Sequence, residues 1–271
     1  SAKNGTIDGR RSISKPVLPA SGVCTLVAFD KNLKAVSIDS PATKRQFTSS
    51  VLTATERIRF TIKNLDDVAS SGNYDLYYQV NNNPAVMETN STVINPFAVY
   101  QYTFTTTSDF SLPGVYNIKA WIKRAGDAQT LDDTVSVTIK NLANPPITLP
   151  NTNGFETTIA KDYTNNTMGF EGDDKIDFKT NSLKGRARTF VNSGFALNGN
   201  RAITLDQFIY NAALTTDSLL ITYNLSNYVT GEQLRLDFYY KNHGQENNVN
   251  NKVWIRGSDT KPWIFAYDLV A

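Results

Sequence analysis

Side chains that could carry out acid–base or metal chemistry are sparse in this chain. There is one histidine, His243, and one cysteine, Cys24. A hydrolase with a Ser-His-Asp arrangement would need His243 as its base, but the sequence contains no G-x-S-x-G elbow. A zinc site needs three or four Cys, His or carboxylate ligands, which these two residues do not supply. We therefore expect a protein that is not an enzyme, with His243 in an exposed loop and Cys24 as a small buried apolar residue.

Carboxylates cluster at one place. Glu171, Asp173 and Asp174 lie within four consecutive residues, and Asp177 follows. Oxygen-rich turns of this kind can hold Ca²⁺, which takes six to eight hard oxygen ligands. The spacing differs from an EF-hand loop, because no glutamate closes the set at the twelfth position. A calcium site and a solvated turn are both consistent with this pattern.

Exposed aromatic rings could bind sugars by stacking on their apolar faces. The densest aromatic segment includes Tyr239 and Tyr240, and Trp254 and Trp263 follow it. Because side chains alternate along a strand, Tyr239 and Tyr240 lie on opposite faces, so at least half of these aromatics are expected to belong to a core. We expect Trp254, and also Trp121 in the first half of the chain, to be buried within strands. Trp263 and Tyr239 are the candidates for glycan contact.

Composition limits the function classes. The 271 residues are 40% apolar and 19% charged, with a net charge of +2 and no basic block. Nothing in the composition argues for nucleic-acid binding. The sequence has no apolar run of about 18 residues, so membrane insertion is not expected. A single cysteine excludes an internal disulfide framework.

Short β-rich runs alternate with turn-forming residues throughout the chain, which predicts an all-β protein. The first group is typical of an Ig-like sandwich, and its predicted strands are Ala35–Ile38, Arg57–Ile62, Asp75–Val80, Tyr100–Thr106, Tyr116–Ile122 and Thr134–Ile139. The second group favours a jelly-roll sandwich, with predicted strands at Ala202–Leu205, Ser218–Leu225, Gln233–Tyr240, Lys252–Arg256 and Trp263–Leu269.

The predicted domain boundaries follow from these groups. Residues 1–30 are interpreted as a tail or the closing strand of a preceding module, and residues 31–143 as the Ig-like domain. Residues 144–153 contain the Pro-rich run Asn144–Pro150, which predicts a semi-rigid linker that holds two domains apart. Residues 154–271 form the predicted jelly roll.

Residues 32–142 resemble the cell-adhesion-related Ig-like domain of bacterial surface proteins. The phrases that carry the resemblance are Ile38–Pro41, Ile58–Leu65, Tyr78–Asn81, Asp109–Tyr116 and Ala120–Trp121. That family usually has Asn-Asp before its last strand, where this chain has Asp132 and Asp133.

The chain from about Gly169 resembles the MAM-like jelly rolls of large Bacteroidota surface proteins. The matching phrases are Phe170–Gly172, Gly199–Leu205, Leu234–Gly244, Lys252–Ser258 and Pro262–Trp263. Further strands follow the last phrase in such domains, so the jelly roll is expected to be incomplete at Ala271. It would be completed by residues beyond this sequence or by a neighbouring module. The resemblance also implies a structural Ca²⁺ near the first and last strands, with Glu171, Asp173 and Asp268 as its candidate ligands.

The pair of modules resembles segments of the giant repeat adhesins of gliding Bacteroidota, which are exported by the type IX secretion route. This implies a secreted protein on the outer face of the outer membrane. Its expected partners are a surface polysaccharide or neighbouring modules of the same chain, with the secretion and motility machinery of the cell envelope. Thr134 and Ser218 match the Asp-Ser/Thr-aliphatic pattern that Bacteroidota use for O-glycosylation.

Three functions remain open from the sequence. The first is a non-catalytic adhesin segment that extends and displays binding surface. The second is an accessory carbohydrate-binding region of a secreted hydrolase whose catalytic domain lies elsewhere. The third is cargo carried by the secretion machinery.

Overall fold

The computed structural model describes residues 29–46, 48, 51–127, 129–191, 194–208, 216–228, 233–242 and 250–270. These residues form strands and connecting segments only, and no helix among them is long and apolar enough to cross a membrane. The predicted all-β class is confirmed. Cys24, His243 and nearly all of the predicted N-terminal tail lie outside the described residues.

The strands fall into two units and a hairpin. The first unit comprises β1 Leu33–Ser40, β2 Lys44–Arg45, β3 Glu56–Asn64, β4 Tyr74–Val80, β5 Val86–Asn90, β6 Val99–Ser108, β7 Gly114–Arg124 and β8 Thr134–Leu142. The second comprises β9 Asp162–Tyr163, β10 Thr167–Phe170, β11 Asp173–Thr180, β12 Gly185–Val191, β13 Arg201–Gln207 and β14 Asp217–Ile221. The hairpin consists of β15 Lys252–Ile255 and β16 Ile264–Asp268.

The first unit is an Ig-like sandwich. One sheet has the order β1-β3-β6 and the other the order β2-β8-β7-β4-β5. The β2–β8 pair is parallel, whereas the other pairs of the unit are antiparallel. All six strands predicted for this region are confirmed. The two strands that the prediction missed, β2 and β5, are short and lie at sheet edges.

Alternation along the strands builds the core of this unit, since successive side chains point to opposite faces. In β4, Tyr74, Leu76, Tyr78 and Val80 are buried while the residues between them are half-buried. The ring of Tyr78 meets Phe104 of the facing sheet edge to face, with 4.7 Å between ring centroids.

An irregularity in β6 is bridged by a carboxylate from the other sheet. Arg57 pairs with Thr107 and Arg59 with Thr103, so Thr105 and Thr106 lie in a bulge between the two pairs. Glu88 of β5 accepts hydrogen bonds there from the Thr105 amide (3.0 Å), the Thr105 hydroxyl (2.8 Å) and the Thr106 amide (2.9 Å). The Tyr102 hydroxyl donates a further bond at 2.6 Å. One side chain thereby joins the edges of the two sheets.

The second unit has two three-stranded sheets, of order β10-β11-β14 and β13-β12-β9. Its core is smaller than that of the first unit. Among the described residues it consists of Tyr163, Phe170, Ile176, Phe178 and Ala187. The rings of Tyr163 and Phe170 stack with centroids 3.9 Å apart.

The region after Tyr228 differs from its prediction. Residues 233–240 contain no strand, and the predicted strand at Ser218–Leu225 is shortened to β14. Among the described residues β15 and β16 pair only with each other. A strand is stabilised by hydrogen bonds to a neighbour, and no such neighbour is described for residues 233–240. Their apolar side chains are accordingly exposed, as with Leu236 at 62%.

We expect the Glu88 contacts to give the first unit acid-sensitive stability. Burial raises the pKa of this carboxyl, but the bonds from Tyr102, Thr105 and Thr106 outweigh that effect and lower the pKa to about 2. Because the folded-state pKa lies below the ordinary value of 4.5, the stabilisation is complete above that value and is lost as the pH falls toward 2. Glu88→Gln should lower the free energy of unfolding at pH 7 by about 1–2 kcal/mol.

Urea unfolding at pH 7 and near pH 2.5 tests this expectation. The difference between wild type and Glu88→Gln should shrink at the lower pH. Glu56→Gln is the control, because among the described residues the Glu56 carboxylate bonds only to Thr53 within its own turn. Equal losses at both pH values would show that Glu88 does not act through its charge.

Candidate functional site

A buried ion pair joins the two units. Arg45 extends from β2, whose pairing with the end of β8 places the side chain against the second unit, and it is 4% exposed. Its guanidinium binds both carboxylate oxygens of Asp177, with Nε 3.4 Å from Oδ2, and also donates to the main-chain oxygen of Asp174. Asp177 Oδ1 accepts another bond from the Gly169 amide at 2.9 Å. The arginine is thus held in a fork of acceptors that all belong to the other unit.

Close main-chain packing surrounds this ion pair. The Ala143 amide, just after β8, donates to Asp174 Oδ2 at 3.2 Å. Gly169 has a φ of +74°, and a Cβ at this position would lie 2.5 Å from Leu142 Cδ2. Only glycine tolerates both the backbone conformation and the contact. Arg45, Leu142, Gly169, Asp174 and Asp177 are called the joint below.

The Pro-rich segment lies along the second unit. Pro146 forms a parallel bridge with Asn224, and the Ile147 amide donates to the Asn224 oxygen at 3.0 Å. The Leu149 amide donates to the Tyr228 hydroxyl at 2.6 Å. The sequence predicts a linker that holds the domains apart. In the structure this segment instead packs on the second unit, while the joint brings the two units into contact.

The calcium candidates of the second unit already have partners. Glu171 is paired with the ammonium group of Lys161, which lowers the pKa of the carboxyl. Asp173 is buried, and its two oxygens accept bonds from the Asn153 amide group (2.8 Å) and the Lys175 main-chain amide (3.1 Å).

The third candidate ligand, Asp268, is on β16, where Oδ1 accepts a bond from the Val270 amide at 3.0 Å. No group of three or more His, Cys, Asp or Glu side chains in the described part of the chain could hold a metal ion. Calcium binding stays a prediction. It can be tested by comparing the thermal midpoint in chelator and in millimolar Ca²⁺, because a ligand of the native state raises it.

The predicted glycan-contact residues are both exposed. Tyr239 is 82% exposed, and Trp263 is 44% exposed with the Arg256 guanidinium 4.4 Å from its ring centroid. Trp254 is 48% exposed and meets Phe265 edge to face. Its expected burial is therefore wrong, because β15 lies in a two-stranded hairpin that covers neither face.

Trp121 is also not in the core. It is half-buried on the outer face of β7, where it stacks on Tyr77 of β4 with centroids 5.1 Å apart and ring planes 3° apart. Lys119 lies 5.3 Å from the Trp121 ring centroid, and Lys123 lies 5.2 Å from that of Tyr77. Strand alternation contained this signal: Lys119, Trp121 and Lys123 are two residues apart, so they share a face.

The two O-glycosylation candidates differ in access. Thr134 is exposed at the start of β8 and pairs with Trp121 across the sheet. Ser218 is half-buried in β14, opposite Lys179 of β11.

Asp133, which precedes Thr134, is an acidic residue whose environment disfavours its charged form. It is 9% exposed, and its Oδ1 has no hydrogen-bond partner among the described residues. Burial raises the pKa of this carboxyl to about 6, and the charges of Asp127 and Asp132 add to the effect. At neutral pH the charged Asp133 carboxylate therefore destabilises the first unit.

Comparison with known proteins finds similarity only to solved structures. No protein-family model and no curated protein matches it. Part of it is similar to the β-glucosidase from Listeria innocua in complex with isofagomine, with 16% identity and a TM-score of 0.24 over 41% of this chain and 16% of that chain. The complex of that enzyme with gluconolactone matches with 18% identity and a TM-score of 0.23 over 40% of this chain and 16% of that chain. Similarity of this extent carries no argument about function.

We expect Asp133→Asn to stabilise the protein above pH 6 by about 1–2 kcal/mol. The folded-state pKa lies above the ordinary value of 3.8, so the group favours folding below pH 3.8 and this advantage is lost as the pH rises through 6. Denaturant unfolding at pH 4 and pH 7.5 measures the effect. The exposed Asp30→Asn is the control, and a stabilisation that is the same at both pH values would contradict the assignment.

Proposed function

We propose that this chain is a non-catalytic segment of a large cell-surface repeat adhesin, secreted to the outer face of the outer membrane. In this role the two units extend and display binding surface for adhesion and gliding. The observation that carries the proposal is the joint, in which Arg45 of one unit is buried against Asp177 of the other. The resemblance to type IX-secreted Bacteroidota adhesins supports the cellular setting.

A buried charge pair at the joint makes the connection stiff. Domains linked by a flexible segment move independently by default. To separate these units, Arg45 would have to leave its bonds to Asp177 and Asp174, and the Leu142 side chain would have to withdraw from Gly169. A stalk that transmits force along a chain of modules needs this type of connection.

The proposed partners follow from the same role. They are a surface polysaccharide or neighbouring modules of the same chain, together with the secretion and motility machinery of the cell envelope.

A second candidate function is an accessory carbohydrate-binding region of a secreted hydrolase. The exposed aromatic side chains of Tyr239 and Trp263 favour it, because such rings can stack on sugar faces.

The stalk proposal predicts that the units unfold together. Arg45→Met leaves the Asp177 carboxylate buried without its counter-charge, which costs about 3–5 kcal/mol for a pair of this kind. We expect wild type to give one calorimetric transition and the variant to give two, with the second unit melting first because its core is smaller. Small-angle scattering should show a wider range of interdomain distances for the variant.

Arg57→Met is the matched control, because Arg57 is an exposed arginine of the same unit and has no ion pair among the described residues. It should leave a single transition. The double variant Arg45→Met/Asp177→Leu removes both charges and should recover much of the stability. Two transitions in the wild-type protein would contradict a stiff joint.

A glycan array separates the two candidate functions. If the adhesin proposal holds, any binding should be unchanged by Trp263→Ala, with Tyr267→Ala as the exposed aromatic control from the same hairpin. Binding to one polysaccharide that is lost only in Trp263→Ala would favour the hydrolase-associated role. Absence of binding to any glycan would eliminate that role.

A further inference from the structure

The outer face of the β1-β3-β6 sheet carries a row of cations. Ile58, Phe60 and Ile62 of β3 are fully buried, so the residues between them point outward. Arg57 and Arg59 are exposed there, and Lys63 is half-buried at the other end of the strand. Lys34 of β1 is exposed beside it. These four residues, the basic stripe, extend over about 20 Å along β3.

The cations of the basic stripe have no ion-pair partner in the described part of the chain. Some arginines elsewhere are paired with carboxylates, as in the Arg186 and Arg188 contacts with Asp206. On the basic stripe, by contrast, Lys34 is directly opposite Lys63 in the β1–β3 register. Like charges at facing positions of a sheet destabilise it. The fold thus retains an unfavourable pair of cations on a surface that a neutral side chain could occupy equally well.

Neutral hydrogen-bonding groups run beside the basic stripe. Thr103 of β6 is opposite Arg59, and Thr107 is opposite Arg57. Gln101 is exposed next to Asp39, whose carboxylate accepts bonds from the Thr61 hydroxyl and, at 3.4 Å, from the Gln101 amide. The face therefore combines spaced cations with hydroxyl and amide groups, and Asp39 neutralises only part of its charge.

We propose that the basic stripe is a binding site for an acidic polysaccharide, whose carboxylate or sulfate groups pair with Arg57, Arg59, Lys63 and Lys34. Charge complementarity identifies the ligand class, and the neighbouring Thr103, Thr107 and Gln101 side chains suit sugar hydroxyls. The four stripe residues include no aromatic side chain on which unpaired bases could stack, which disfavours single-stranded nucleic acid. The choice of a polysaccharide as the ligand rests on the proposed adhesive function, whereas the binding of a polyanion does not.

The test uses the full chain and two probes of equal length, polygalacturonate and neutral dextran. The stripe variant is Lys34→Gln/Arg57→Gln/Arg59→Gln/Lys63→Gln. Lys179→Gln/Lys241→Gln/Lys252→Gln/Lys261→Gln changes the net charge equally at exposed lysines of the second unit and the hairpin region. We expect wild type to bind polygalacturonate and not dextran, the stripe variant to bind about tenfold more weakly, and the control to keep its affinity within about twofold.

The salt dependence gives a second readout, since the slope of log affinity against log salt should fall in the stripe variant and not in the control. Equal losses in both variants would assign the binding to net charge and overturn the proposal. Tighter wild-type binding to a single-stranded oligonucleotide than to polygalacturonate would overturn the ligand class.

Two checks keep the result interpretable. Lys34→Gln alone should slightly raise the thermal midpoint, because it removes the repulsion from Lys63, and it confirms that the sheet folds without that cation. The stripe variant should retain the single calorimetric transition expected of wild type. If the stripe variant loses polyanion binding but keeps the single transition, the result bears on the proposed binding site alone. If wild type shows two transitions, the result bears on the proposed stiff joint alone.

Discussion

A guanidinium group removed from water needs acceptors for its donors and a counter-charge, or its burial is strongly unfavourable. Among the described residues Arg45 finds both only when the two units are docked, because its acceptors, the Asp177 carboxylate and the Asp174 main-chain oxygen, lie in the second unit. The pairing of β2 with β8 and the close approach of Leu142 to Gly169 lie beside this contact. Much of the arrangement depends on one ion pair.

The two units depend on this contact to different degrees. The first has 17 buried apolar residues in its core among the described residues, whereas the second has five. Small cores supply little net stability after the loss of chain entropy. The second unit therefore needs the packing that the joint and residues 144–150 provide, and the first unit acts as the platform on which it is held.

The alternation of apolar and polar residues predicts the strands of the first unit well and those of the second unit less well. Strands such as β4 and β7 alternate so regularly that their existence and their inward faces follow from the sequence. The strand expected at residues 233–240 has a similar pattern but does not form, because a β-strand also requires a hydrogen-bonding neighbour that no local pattern supplies. The strand β2 has only two residues, too few for alternation to identify it.

The surface features that depend on residues close together in the sequence are the ones that the sequence predicts best. The exposure of Trp263 follows from its position beside a turn, whereas Tyr239 is exposed because residues 233–240 form no strand. The position of Trp121 in the middle of a strand predicts burial, although its neighbours two residues away, Lys119 and Lys123, mark an outward face. In an antiparallel sheet with one solvated side, the alternation of inward and outward positions predicts the burial of an aromatic residue better than its hydrophobicity does.

Neither the basic stripe nor the joint can be predicted from residues that are neighbours in the sequence, and the reason is the same for both. Arg57, Arg59 and Lys63 are separated by uncharged residues, so the sequence shows no basic block, and Lys34 joins them only through the β1–β3 register. Arg45 and Asp177 are 132 positions apart. A net charge of +2 is consequently compatible with a strongly cationic face, because the fold concentrates on one sheet cations that the sequence disperses, while it pairs other arginines with carboxylates elsewhere. Function in such a β-sandwich protein is set by which side chains the strand register brings together.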